Sequence, residues 1–389
     1  MPSRYARTRT GSLLGAEGTH EPAGDRVGLV LLAAGGELVV RGASRLAVSA
    51  GISPVVVGLT VVAFGTSLPE LAVTLGSVMS GSPDVAVGNV VGSNIYNILL
   101  VLGLGALVAP LIIQQRIVRA DVPLLIVVSL LFWALAADGR LDGLDGLPLL
   151  LLLLAFTGIS VRAGRREQRD VRREYEERLP PEPRTSDRII FLAALIISGL
   201  VALVAGSQAL VAGASDIARS LGVSELVIGL TVVSIGTSMP EIVTTVVAVV
   251  RDQRDIAVGN VVGSNLFNLL GVMGIGAVVA PDGIPVAPAA LGFDIPIMVV
   301  VAVALLPVAF VGYAIRRWEG AVFVGYAAAY TTYVVLDATD PQLADDFAFA
   351  LGAFVLPLTL VTIGTVVTRE IIARRARRAA DRRDDAAHR

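Results

Sequence analysis

The chain has 389 residues, 54% hydrophobic and 16% charged, with a mean hydropathy of +0.76 and a formal net charge of −2; it is too long and too apolar for one soluble domain, and the composition predicts a polytopic membrane protein. It has no Lys and no Cys, and its two His, His20 and His388, stand in polar terminal stretches. This excludes a Lys-dependent P-loop ATPase, Schiff-base chemistry, thiolate or imidazole metal sites and intramembrane His relays, so uphill work must draw on a gradient and ion chemistry must use oxygen.

In chain order, residues 1–26 read as a polar N-terminal tail without the apolar run of a cleavable signal peptide, followed by a signal-anchoring first span. Apolar stretches then cover 27–50, 54–80, 84–110, 121–138, 145–162, 188–213, 225–250, 255–281, 290–313, 318–336 and 347–368. Each is long enough to cross about 30 Å of hydrocarbon as a helix. Between the fifth and sixth, residues 163–187 carry Arg165, Arg166, Arg169, Arg172, Arg173 and Arg178, then Pro180, Pro181 and Pro183. That composition predicts a solvated linker, too short and too Arg-rich for a regulatory Ca²⁺-binding domain. Residues 369–389 form a basic tail.

Arg excess in loops marks the cytoplasmic side. With the N-terminus outside, Arg116, Arg119, the linker, Arg251, Arg254, Arg316, Arg317 and the Arg374–Arg383 tail fall inside, while Asp138, Asp142, Asp145, Asp282, Asp337, Asp340, Asp345 and Asp346 fall outside. The expected location is the plasma (cytoplasmic) membrane, with the C-terminus in the cytoplasm.

Residues 58–110 match residues 229–281 without a gap at a constant offset of 171, with 31 of 53 positions identical. The register extends upstream, where Gly42, Ala43 and Ser44 meet Gly213, Ala214 and Ser215, and weakly downstream, where Asp121 and Pro123 resemble Asp294 and Pro296. Each unit holds five spans. Five is odd, so the second copy must enter the membrane from the opposite side. The predicted fold is an all-α polytopic membrane protein with two inverted five-helix repeats, 27–162 and 188–336, plus an extra, peripheral eleventh helix at 347–368. Inverted repeats are a signature of secondary transporters, with the substrate site near the midplane between the halves.

The repeated residues carry the chemistry. Gly65-Thr66-Ser67-Leu68-Pro69-Glu70 sits near the middle of the second span, and Gly236-Thr237-Ser238-Met239-Pro240-Glu241 does the same in the seventh. Pro has no N–H and clashes with the carbonyl four residues earlier, so each helix is expected to open and free oxygens around Ala63 to Gly65 and Ser234 to Gly236. A carboxylate in mid-membrane costs at least a few kcal/mol unless a cation or proton matches it, and these spans offer no Arg nearby. Asn89, Ser93 and Asn97, at steps of four, share one face of the third span, and Asn260, Ser264 and Asn268 repeat this in the eighth. Two carboxylates, amides and hydroxyls at one depth make an all-oxygen cage for a hard cation, neutralised by one Ca²⁺ or about two Na⁺.

Other motifs carry plainer readings. Gly88 with Gly92, and Gly259 with Gly263, read as small-residue packing surfaces; Glu37 and Arg41 as an i, i+4 pair; Asp84 and Asp255 as helix N-caps. An isolated Thr-Ser pair in a membrane helix bonds its own backbone and carries little weight; the duplicated mid-membrane Glu carries most.

Gly-Thr-Ser-Leu-Pro-Glu followed by Gly-Asn-Val-Val-Gly-Ser-Asn-Ile-Tyr-Asn, present in two copies, resembles the alpha repeats of the sodium/calcium exchanger family within the cation/calcium antiporters, in its prokaryotic form. The resemblance covers about spans one to ten. It implies that Glu70 and Glu241 are central ligands shared by Ca²⁺ and Na⁺. It further implies flanking Na⁺ sites from Thr66, Ser67, Ser93, Thr237, Ser238 and Ser264 with the carbonyls of Ala63 and Ser234, and a centre completed by Asn97 and Asn268. It implies, too, that spans one and six slide past a four-helix core. Several relatives carry Asp at one of the last two positions, where this chain has Asn twice. Proton-coupled relatives carry Glu where this chain has Gly92 and Gly263, which leans the reading towards Na⁺.

The expected function is exchange of Ca²⁺ for Na⁺ by alternating access, with those ions and the lipid bilayer as partners, no cofactor, no nucleic acid and no obligate protein partner. Exchange of Ca²⁺ or another cation for H⁺ is the alternative, since both glutamates can bind protons. A cation channel is a further reading, though channels usually build such oxygen rings from several subunits. Intramembrane hydrolysis would need a general base, and neither His nor Lys is available.

Overall fold

The computed structural model describes residues 22–81, 83–175, 186–220 and 229–352, with the single positions 364, 368 and 372. Most of the N-terminal tail, linker residues 176–185, most of the expected eleventh span and nearly all of the basic tail lie outside the described residues.

Among the described residues, nine helices are long and apolar enough to cross a membrane, and a bent pair makes a tenth. They are α1 Val27–Ala50, α2 Pro54–Met79, α3 Val85–Val108, α4 Ile117–Asp138, α5 Gly143–Gly164, α6 Ile189–Ile217, α7 (Thr231–Thr237 and Met239–Val250, bent by 48°), α8 Arg254–Val279, α9 Ala290–Phe310 and α10 Arg317–Thr339. A short α11, Pro341–Ala350, follows. The protein is thus a helical integral membrane protein. The helix of α5 continues to Tyr175, into the stretch read from sequence as linker.

The all-α expectation needs one amendment. Four two-residue strands, β1 Leu111–Ile112, β2 Arg140–Leu141, β3 Ile284–Pro285 and β4 Ala314–Ile315, join in two antiparallel pairs, β1 with β4 and β2 with β3. Loop backbone between spans must pair its N–H and C=O groups, and each pair does so with one strand from each half of the chain.

The repeat is structural as well as sequential. Wide π-helical turns occur at Gly58–Val62 and Gly229–Val233, at Asn97–Val101 and Asn268–Val272, and at Ile117–Asp121 and Ala290–Asp294. Such turns insert one residue per turn and recur at functional sites.

Helices α3 and α8 are the most enclosed, with 83% of each apolar window buried against 22% for α5 and 11% for α10. Gly259 and Gly263 of α8 lie on α2, where an added Cβ would stand 2.7 Å from the Val55 carbonyl and 2.6 Å from that of Leu59. This is the packing surface expected of them, whereas Gly88 and Gly92 meet no such neighbour among the described residues.

Helices α1 and α6 pack on glycine. A Cβ at Gly35 would lie 2.7 Å from Gly199 O, one at Gly199 2.8 Å from Gly35 O, and one at Gly206 2.7 Å from Gly28 O. The contacts descend along one helix as they rise along the other, so the two run antiparallel. Close backbone approach of this kind is how helices associate where lipid removes the hydrophobic drive.

Candidate cation site

Both Pro-Glu steps break their helices. In α2 the turn Ala63–Thr66 stops at Ser67 (φ −81°, ψ 3°) and Leu68–Met79 restarts with Pro69 in its first turn. In α7, Ser234–Thr237 stops at Ser238 (φ −84°, ψ 3°) and Met239–Val250 restarts with Pro240. Pro suits the first turn of a helix because its missing N–H is not needed there. Glu70 and Glu241 each fall in the first turn of the second half-helix, whose positive dipole end favours negative charge.

The carbonyls differ from expectation in detail. Ala63 O accepts the Ser67 N–H at 3.0 Å and lies 3.3 Å from Thr66 Oγ1, and Ser234 O accepts from Thr237 Oγ1 at 3.0 Å. The carbonyls deprived by proline are those four residues before it, Gly65 and Gly236.

The two carboxylates are fully buried, and neither has an ion-pair partner among the described residues. Ser93 Oγ donates to Glu70 Oε1 at 3.5 Å, with Thr237 also beside that carboxylate; Thr66 and Ser264 stand beside Glu241. Glu70 Oε2, both carboxylate oxygens of Glu241, both amide atoms of Asn97 and of Asn268, and the hydroxyls of Ser67 and Ser238 are buried without a hydrogen-bond partner. Buried polar groups in folded proteins are almost always paired, so these orphaned groups on α2, α3, α7 and α8 fit a cage that a cation completes. Among the described residues no group of three or more His, Cys, Asp or Glu could hold a metal; any cage here depends on amides, hydroxyls and carbonyls.

The breaks are laced together across the two halves. Thr66 Oγ1 lies 3.2 Å from Asn260 Oδ1 and 3.2 Å from Ser264 Oγ, while Thr237 Oγ1 donates to Asn89 Oδ1 at 3.4 Å. Asn89 Nδ2 donates to Thr74 Oγ1 at 3.3 Å and Asn260 Nδ2 to Thr245 Oγ1 at 3.3 Å, the same bond in each half. Asn89 Nδ2 also lies 3.1 Å from Glu70 O. The structure therefore brings Thr66, Ser93, Thr237, Ser264 and Glu70 into contact about the two breaks, while Asn97 and Asn268 begin the π turns of α3 and α8 and are joined to these groups by no hydrogen bond among the described residues. Asn89 and Asn260, read from sequence only as lining, hold each break to the other half. Their signal was present, since both recur at offset 171, but a sequence does not say which amide faces an ion and which faces a threonine.

Two other sequence readings resolve locally. Glu37 pairs with Arg41 as expected and with Arg251 as well. Asp255 is not the cap of its helix: Gln253 holds that position, and Asp255 accepts from Gln114 Nε2 at 2.8 Å.

The sequence profile described as sodium/calcium exchanger protein matches residues 26–162 and 191–336. The chain is 40% identical over 282 residues to the putative antiporter CaxA of Alkalimonas amylolytica, covering 72% of this chain and 86% of that protein. It is 31% identical over 335 residues to the sodium/calcium exchanger MaX1 of Methanosarcina acetivorans, covering 78% and 95%. A solved structure of the sodium-calcium exchanger NCX_Mj superposes with a TM-score of 0.68 at 27% identity, over 82% of this chain and 98% of that one.

Proposed function

Since the chain belongs to the sodium/calcium exchanger protein family, we propose that it exchanges Ca²⁺ for Na⁺ by alternating access, as a transporter and not an enzyme. The observation that carries this reading is the pair of buried, unpaired carboxylates, Glu70 and Glu241, ringed by orphaned amides and hydroxyls. Two such charges in hydrocarbon need cations. One Ca²⁺ neutralises the pair and three Na⁺ leave it at +1, so the two loads compete for the same oxygens and only one full load fits at a time.

In this reading Glu70, Glu241, Asn97 and Asn268 form the centre, and Thr66, Ser67, Ser93, Ala63, Thr237, Ser238, Ser264 and Ser234 form the flanking Na⁺ sites. The units 27–162 and 188–336 are inverted repeats, a reading supported by the antiparallel run of α1 against α6. Residues 347–368 are a peripheral eleventh span. The N-terminus is outside the cytoplasmic membrane, with the linker and basic tail inside. Alternation consists of the α1–α6 pair sliding past α2, α3, α7 and α8.

Sodium coupling is favoured over the proton alternative by residue type at Gly92 and Gly263, with steric fit supporting it at Gly263 and not at the open Gly92. Proton-coupled relatives place Glu there, and at Gly263 even a Cβ would stand 2.6 Å from a backbone oxygen. The deciding measurement is Ca²⁺ flux in sealed vesicles under separately imposed Na⁺ and H⁺ gradients. Uptake driven by outward Na⁺ at equal pH is expected. Uptake driven only by the H⁺ gradient would replace this reading with Ca²⁺/H⁺ exchange.

A further inference from the structure

The carbonyl of Gly236 is the one that Pro240 cannot serve, and it accepts a hydrogen bond from Ser207 Oγ of α6, along with the Ser238 amide. Ser207 is buried. In the offset-171 register, which also aligns Gly28 with Gly199 and Gly35 with Gly206, the counterpart of Ser207 is Gly36, and that of Gly236 is Gly65. Gly36 has no hydroxyl to offer the Gly65 carbonyl. It does not lie there either: its Cα faces Val243 and Val247 of α7, where a Cβ would stand 2.9 and 3.2 Å from their methyl groups.

The same one-sidedness appears at the next residue along. Glu37 of α1 makes an ion pair with Arg251 at the end of α7. The counterparts are Gln208 and Ser80, which cannot form one. Both tethers therefore run from the α1–α6 pair to α7, and neither has residue types that can rebuild it on α2.

Alternating access in inverted-repeat transporters is largely a rocking of one bundle against the other about a pseudo-twofold axis in the membrane plane, and by that symmetry we take the opposite state as the one in which the two halves exchange environments. Here that exchange carries α1 to where α6 now stands and sets Gly36 against Gly65 and Gln208 towards Ser80. We propose that Ser207 and the Glu37–Arg251 pair are a one-sided latch: they hold the α1–α6 pair in the arrangement seen here, have no equivalent in the opposite one, and so bias the exchanger towards this state. Ser207 acts by positioning the Gly236 backbone and the helix it sits on. The inference rests on the alternating-access reading.

The chain has no native Cys, so two introduced ones can be labelled cleanly. Val48 of α1 and Val250 of α7 are both exposed, at 73% and 69%, and Val48→Cys with Val250→Cys would carry spin labels reporting the slide of α1 along α7. In lipid nanodiscs without Ca²⁺, the latch predicts that Ser207→Gly and, separately, Glu37→Gln enlarge a second distance population roughly three- to tenfold relative to the parent, the range expected for loss of one hydrogen bond or a part-exposed ion pair. The ratio of apparent Ca²⁺ affinities measured from the two faces should shift with it. Ser207→Thr keeps the hydroxyl and should leave the populations near the parent's. If the folded Ser207→Gly and Glu37→Gln proteins both give the parent's distance distribution, the latch is overturned while exchange itself stands. If the parent moves no Ca²⁺ in either gradient, the functional reading fails instead, and the vesicle assay shows this without reference to the latch.

Discussion

Thr66 of α2 meets Asn260 of α8 at 3.2 Å between Oγ1 and Oδ1, a bond spanning 194 residues of chain. Its mirror, Thr237 to Asn89 at 3.4 Å, closes the other side. Each unwound step is thus held by an amide of the opposite half. The opening left by proline is fixed at its edges.

Thr66→Val keeps the shape of that side chain and removes its donor. It leaves Asn260 Oδ1 and Ser264 Oγ without this partner, a loss of about 1–3 kcal/mol for buried groups. A lower melting temperature in detergent is expected, together with a fall in apparent Na⁺ affinity larger than any fall for Ca²⁺, because in the proposed site Ca²⁺ would rely chiefly on the carboxylates. Equal effects on the two ions would assign Thr66 to scaffolding alone.

Glu70→Gln and Glu241→Gln each remove one of the two carboxylates at the helix breaks without changing volume. Ca²⁺ uptake into vesicles is expected to drop more than tenfold in either variant, since charge-assisted contacts are about twice as strong as neutral ones. Folding should survive, because the amide relieves the repulsion between the pair. Near-parental uptake by a folded variant would remove that residue from the cage.

The tight and open glycines separate packing from function. An added methyl at Gly263 must push α8 off the Leu59 carbonyl, whereas at Gly76 nothing lies within 4 Å. Gly263→Ala is expected to destabilise by about 1–3 kcal/mol. Gly76→Ala should be neutral or stabilise by up to about 1 kcal/mol, because Ala is the better helix former. Thermal unfolding in one detergent compares them, and equal midpoints would mean that α2 and α8 are not in contact at Gly263.

Much of this arrangement is legible in the sequence. Pro69 and Pro240 state their helix breaks outright, because a missing N–H is a local fact, and the constant offset of 171 carries the Pro-Glu step and the Asn-Ser-Asn face from one half to the other. Hydropathy located the spans because lipid-facing helices must be apolar along their whole length. Three features were not legible. The π turns beginning at Asn97 and Asn268 depend on how α3 and α8 pack. The β1–β4 and β2–β3 pairs join loops far apart in sequence. The bond from Ser207 to Gly236 lies where the two halves differ, and a search for repetition passes over such a place.

Asn268 is where this chain departs from relatives that carry Asp, and its amide is fully buried with both polar atoms unpaired. In the proposed exchange, a cage with two carboxylates would be neutral on one Ca²⁺ and +1 on three Na⁺. A third carboxylate, when ionised, changes those sums to −1 and zero, favouring the sodium load; when protonated it behaves much like the present amide. Asn268→Asp therefore introduces a titrating switch between two stoichiometric preferences. Ca²⁺ flux measured against pH under one fixed Na⁺ gradient should follow a steeper and displaced profile in the variant, with the two proteins converging towards the acid end, where the new group is protonated. Superimposable profiles from a folded, active variant would mean that the Asn268 side chain does not reach the transported ions. The orphaned amide would then need another explanation, such as an ordered water held between α8 and its neighbours.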